Sequence, residues 1–310
     1  MPTVWNPLPS AATEIRWPTS REVAARDSLA DRFRRLKHSW RVWRSRESFE
    51  RIQAVAHAHP CVAALIKTHP RLLCPLGAWF MDRRWQASQR AAAMAATLTR
   101  TQDAFSEHAR WQIANGHLVP LIDIDERYHL ALGLNELSYH EGFWSLSLRD
   151  TQQRRLFNLS FCWLPDGAVL IGSIQGPNGD DRLEQIRDLT KAAHGLRPPH
   201  LLIEALRALL LRTAGASTIL GIDPDHHVKG RWNLKGNRLK FDYRAFWTEL
   251  EARPPSPSSA RSDEQHALYW QIPALRAQRD LAEVPSRKRA MYRRREEWLD
   301  ALQHAMANMP

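Results

Sequence analysis

Residues Ala168 to Ile222 constrain the fold more than any other stretch of this chain. The run AVLIGSIQG, 168–176, is continuously apolar and β-branched, bounded by Pro165-Asp166-Gly167 and Gly176-Pro177-Asn178-Gly179, so it reads as a buried strand. Asp180-Asp181 then opens a helix that keeps Leu183, Ile186, Leu189 and Ala193 on one face. Gly195 supplies a left-handed stop, and Pro198 or Pro199 opens a second helix, HLLIEALRALLLRTAG, which ends at Gly215. A second buried strand, STILGID, follows. A strand that returns after helices to a neighbouring strand implies a parallel pair inside a mixed sheet.

The rest of the chain fits around that unit. Residues 1–18 hold prolines, Trp5 and Trp17 without periodicity. From Thr19 to about Arg110 the pattern is helical, with Ala24, Leu29, Phe33 and Leu36 on one face among Arg32, Arg34, Arg35 and Lys37. Four or five helices are expected, with a bend at Pro75 and Gly77 and a strong helix over 86–102. Near Gly116 the texture turns to short strands at 118–124, 129–134, 143–148 and 156–163. Phe241–Glu251 enters a short helix, 254–262 is a Pro/Ser linker, 267–272 suits one more strand, and 285–306 is a helix that begins basic and turns acidic. The expectation is an α+β fold: a helical N-terminal region (1–115), a mixed α/β core (116–252), a linker (253–265), and a last strand with a basic C-terminal helix (266–310).

Composition excludes several classes. No run approaches eighteen uncharged apolar residues, and the N-terminus lacks the pattern of a signal peptide. Cys61, Cys74 and Cys162 are widely spaced and in apolar contexts, without metal spacing. A cytoplasmic protein is expected, peripheral at the inner membrane if it meets one. The net charge of +11 suits an anionic partner, but no reading module for nucleic acid accompanies it, so nucleic acid is disfavoured. Oligomeric state is not legible.

The segments QG…IRDLTKAAHGLRPPHLLIEALRALL, FDYRAFWTE and EVPSRKRAMYRRR, in that order, resemble the VirK/YbjX family of bacterial proteins. The resemblance implies a link to Gram-negative envelope integrity, virulence and tolerance of cationic antimicrobial peptides; it brings no defined activity. At fold level, the order hairpin, strand, helix, strand resembles the core of GNAT acyltransferases. There a glycine-rich loop at a helix N-terminus holds the pyrophosphate of coenzyme A. Arg197-Pro198-Pro199-His200 falls at that place, without the glycines and after an extra helix. That resemblance implies an acyl-CoA or another acyl donor as cofactor.

Candidate residues follow. Lys191, His194 and Arg197 lie at i, i+3 and i+6 around a helix end. They either form a basic pocket for a phosphate, carboxylate or acyl donor, with His194 carrying a proton, or serve the helix dipole. Gln175, Gly176 and His200 flank the same place and complete the cofactor-binding set. Glu141, in Tyr139-His140-Glu141-Gly142, is either a general base or part of a surface turn. Asp223, Asp225, His226 and His227 have metal-ligand chemistry but no familiar spacing, so no metal is assigned; His226 remains a candidate base. Tyr243, Phe246 and Trp247 suit a core or cleft wall. Arg289, Arg293 and Arg294 belong to a basic collar that either suits anionic lipid or an envelope component or is a solvated helix face paired with Glu296 and Glu297. Two functions fit: an acyl- or aminoacyl-transferase acting on a lipid or peptide, and a non-enzymatic peripheral binding factor that uses its C-terminal helix. The sequence leaves both open.

Overall fold

The computed structural model describes residues 14–213, 218–230, 241–256, 265–276, 280 and 282–309. Six helices come first: α1 (Ser20–Val23), α2 (Leu29–Arg44), α3 (Arg46–Ala58), α4 (Pro60–Thr68), α5 (Ala87–Ala104) and α6 (Glu107–Ala114). Their starts follow local chemistry. Thr19 and Glu22 form a capping box at α1, and the Ser28 and Ser106 hydroxyls accept from backbone N–H groups three residues on. Pro60 opens α4 at a position where its missing N–H costs nothing. The bend expected at Pro75 and Gly77 is the end of a 3-10 helix, Pro70–Gly77. The helix count exceeds expectation because α1 is a single turn and because the chain turns at Ser45 between α2 and α3.

The sheet contains β1 (Val119–Asp123), β2 (Tyr128–Leu134), β3 (Trp144–Asp150), β4 (Arg155–Trp163), β5 (Val169–Gln175), β6 (Ile219–Gly221) and β7 (Trp270–Ile272) in that spatial order. All neighbours are antiparallel except β5 and β6, the parallel pair that the 168–222 unit implied. Between those two strands run α7 (Arg182–Ala192) and α8 (Pro198–Leu210). The stop read at Gly215 lies outside the described residues, as does most of the linker. α9 (Tyr243–Glu249) precedes β7, and α10 (Ser286–Ala307) ends the chain.

β3 is buried at every position, so both faces of the sheet are covered there. This is why β4 and β5 read as mostly apolar runs, while β3 alternates Trp144, Leu146 and Leu148 with Ser145 and Ser147 that are buried all the same. α8 is apolar almost all round because it lies in the same continuous core as Trp144, Leu146, Leu159 and Phe161. α10 adds Leu299, Leu302 and Met306 to that core. Among the described residues, no helix is long and apolar enough to cross a membrane.

Candidate functional site

β5 and β6 pair only through Val169, Leu170 and Ile171, and then part. The cause is α9, which wedges the two ends open with aromatic residues one helical turn apart. The Tyr243 hydroxyl accepts from the Ile174 N–H at 3.1 Å on the β5 side, and the Trp247 indole donates to the Ile222 carbonyl at 3.1 Å beyond β6. Gly221 has no side chain because the Trp247 ring lies where its Cβ would be, 2.6 Å away. A cleft of about 750 Å³ opens at the free end of β5. Its walls are Phe157, Ile174, Phe241 and Tyr243, together with Arg197-Pro198-Pro199 at the start of α8; its polar lining includes Glu141, Gln175 and Lys229.

Glu141 is fixed by its backbone. The 3-10 turn Tyr139–Glu141 ends at Gly142, whose φ of +125° suits glycine and whose Cβ would strike the Phe161 backbone. The Asn135 amide donates to the Ser138 and Gly142 carbonyls, and the Ser160 hydroxyl donates to the Glu141 carbonyl at 2.7 Å. Glu141 is therefore a buried carboxylate at the cleft, and the surface-turn reading does not hold.

Three donors surround it. Lys229 Nζ lies 2.5 Å and Gln175 Nε2 3.1 Å from Oε2, and His227 Nε2 lies 3.3 Å from Oε1, within ion-pair range though poorly aligned. The Lys229 backbone N–H donates to His227 Nδ1, which sets the tautomer that carries its proton on Nε2, towards Glu141. Burial works against charge on Glu141, but the His227 ring and the Lys229 ammonium outweigh it and hold the carboxyl below its usual range. The outcome is an anion in a cleft, partnered by a lysine side chain that is 41% exposed.

The family model described as a protein of unknown function, DUF535, matches residues 27–308. The chain belongs to that family. Two uncharacterized Haemophilus influenzae proteins resemble this DUF535 chain: one is 30% identical over 72% of each chain, the other 29% identical over 94% of each. A Mannheimia haemolytica protein named membrane protein LapB is 28% identical over 69% of this chain and 94% of its own. Escherichia coli YbjX is 30% identical over 59% of this chain and 54% of its own. The VirK/YbjX resemblance read from the residues is borne out. No solved structure matches.

Of the residues singled out from sequence, this DUF535 fold brings Glu141, Gln175, Gly176 and Arg197 to one cleft. Arg197 also pairs with Glu249 at 2.5 Å. Lys191 and His194 do not line that cleft. Lys191 is exposed, and His194, with φ of +50°, ends α7 together with Gly195, its carbonyl accepting from the Arg295 guanidinium. Arg197 lines the cleft without Lys191 or His194, so the basic pocket of Lys191, His194 and Arg197 is not assembled there. His200 sits beside Phe246, and burial first, then the Arg197 guanidinium, push it down to about 4, so it is neutral at physiological pH.

His226 is not the histidine beside Glu141; its neighbour His227 is. The His226 carbonyl accepts from the Arg83 N–H, which ties its loop to the segment before α5. Asp223 and Asp225 are both bound by Arg244, at 3.0 and 2.7 Å. Arg289 caps backbone carbonyls of Val284 and Ala282, whereas Arg293 and Arg294 are exposed on α10. Lys229 was not legible as a site residue, and the only sequence signal near it is the His226-His227 pair following β6.

Proposed function

We propose that this DUF535 chain is an acyl- or aminoacyl-transferring enzyme that modifies a lipid or peptide component of the bacterial envelope. The observation that carries the reading is the cleft at the parted ends of β5 and β6, lined by both an ionised, buried Glu141 and Arg197 at the start of α8. A parallel pair that parts beside a helix N-terminus is the arrangement of GNAT acyltransferases, and the analogy is one of fold. Arg197 and the opening of α8 suit the anionic part of a donor, with the difference that Pro198 and Pro199 offer no N–H. The family link to YbjX and to a protein named for the membrane supports an envelope substrate.

In this reading the donor is an acyl thioester such as acyl-CoA, and the acceptor is an amine or hydroxyl. Lys229 swings out, and Glu141 accepts a hydrogen bond from the acceptor's N–H or O–H, aligning its lone pair on the thioester carbon. The C–N or C–O bond forms, the C–S bond breaks, and the proton shed by the acceptor ends on the departing sulfur. Glu141, with its depressed pKa, is suited to orienting the acceptor more than to keeping its proton.

Thermal denaturation against acetyl- and longer acyl-CoA, with acyl carrier protein and anionic lipid for comparison, tests donor binding. A ligand that binds only the folded state stabilises it by about 2.7 kcal/mol at a hundredfold excess over Kd. A saturable rise with a thioester that Arg197→Ala abolishes is expected; no rise with any thioester would remove the transferase reading. The large hydrophobic side chains exposed on α2 favour the second reading, a peripheral binding factor, which predicts that cleft variants keep full function.

A further inference from the structure

α2 is turned inside out. Its buried side chains are Asp31 and His38, with Arg35 and Val42 half-buried on the same side, and His38 Nε2 lies 2.7 Å from the Pro18 carbonyl. At about 100° per residue, the opposite side carries Leu29, Phe33, Leu36, Trp40 and Trp43 in one stripe. These make up five of the eight large hydrophobic residues exposed among the described residues, and Leu29, Phe33 and Trp43 are 85%, 69% and 66% exposed. Such concentration on one helix marks an interaction face.

Charge tells what that face meets. α2 carries six Arg or Lys residues and one acid, Asp31, which is buried on the protein side. Arg32 lies along one flank of the stripe, Lys37 and Arg44 along the other. Arg44 stacks over the Trp40 ring at 5.2 Å. Beside the second flank a cleft of about 1260 Å³ gathers Lys37, Arg41, Arg44, Arg51 and Arg90, with Glu47 as its one acidic lining residue among the described residues. A second copy of the chain would set these cations against themselves. A bilayer with anionic headgroups takes the whole pattern: Leu, Phe and Trp in the interface, Arg and Lys level with the phosphates.

We propose that α2 docks this protein on an anionic phospholipid surface, its stripe inserting while the adjoining basic cleft takes headgroup phosphates. The proposal stands independently of the transferase reading. It also moves the membrane contact away from α10. The apolar side of α10, Leu299, Leu302 and Met306, is buried against the protein, so Arg293 and Arg294 have charge but no neighbouring apolar face to insert.

Flotation of the full chain with vesicles of equal parts phosphatidylglycerol and phosphatidylcholine is the test, with pure phosphatidylcholine as control. Binding is expected only to the anionic vesicles. It should weaken by about tenfold or more in Phe33→Ser/Trp40→Ser and in Lys37→Glu/Arg44→Glu, and stay unchanged in Arg293→Glu/Arg294→Glu. The α2 positions are exposed, so circular dichroism and thermal midpoint should not move. Failure of the parent chain to float, or undiminished binding by both α2 variants, would overturn the proposal. So would a dimer by light scattering that Phe33→Ser/Trp40→Ser converts to monomer without any vesicle binding, which would assign the face to a second copy.

Discussion

The carbonyl of Glu141 rests on Gly172: a Cβ at that glycine would come within 2.1 Å of the oxygen and 2.9 Å of the carbonyl carbon. The middle of β5 is thus the floor on which the candidate catalytic turn sits. Backbone atoms make the contact, so neither side can yield by changing a rotamer.

Gly172→Ala should therefore both destabilise the fold and displace Glu141. Overpacking at a backbone contact costs about 1–3 kcal/mol. A lower midpoint in urea, with the slope unchanged, checks the first effect. Loss of acyl transfer by the folded fraction checks the second.

The Glu141 carboxyl gives a signed pH dependence. Its folded pKa lies below the ordinary 4.5, so its contribution to stability is fully present above that value and is lost as pH falls through the folded pKa. Glu141→Gln should lower stability near neutrality by about 1–3 kcal/mol, because Lys229 and His227 lose an anionic partner. Its unfolding free energy should then vary less with pH below 4.5 than that of the parent chain. Denaturant titrations across that range decide it, and parallel curves would count against an ionised Glu141.

Tyr243→Phe removes the acceptor for the Ile174 N–H at the parted end of β5. Tyr243 is buried, so an unpaired amide there costs about 1–3 kcal/mol. Amide exchange should show Ile174 losing protection while the paired Leu170 keeps its own.

His200 should stay neutral well below the usual histidine range, because its pKa falls from 6.5 to about 4. The unfolded chain binds the proton first as pH drops. The neutral ring thus favours the folded state fully above 6.5, and that advantage fades as pH falls towards 4. Imidazole NMR shifts followed from pH 7 downwards read the titration directly, and a midpoint near 6.5 would contradict the burial of this ring beside Phe246.

The frame of the fold was legible because its signals are local. The apolar run at 168–176 became β5, Val169–Gln175, and the Pro198-Pro199 start became the first turn of α8. Likewise, the alanine-rich run at 86–102 became α5. The site was legible in part: Glu141, Gln175 and Arg197 stand at ends of elements whose order could be read. What sequence could not supply was convergence. Glu141 and Lys229 meet across the sheet from distant parts of the chain, and only the path of the loop after β6 decides that His227, not His226, faces the carboxylate. The outward turn of α2 was hidden for a different reason. Helical periodicity identifies an apolar face without saying whether protein or something else covers it.

Transfer itself is the most direct test of the transferase account. The purified chain is incubated with radiolabelled acyl-CoA and a bacterial envelope extract, beside Glu141→Gln. The account predicts label in a lipid or peptide fraction, reduced by about a hundredfold or more in the variant. No transfer from acyl-CoA, acyl carrier protein or aminoacyl-tRNA, or equal transfer by Glu141→Gln, would contradict it.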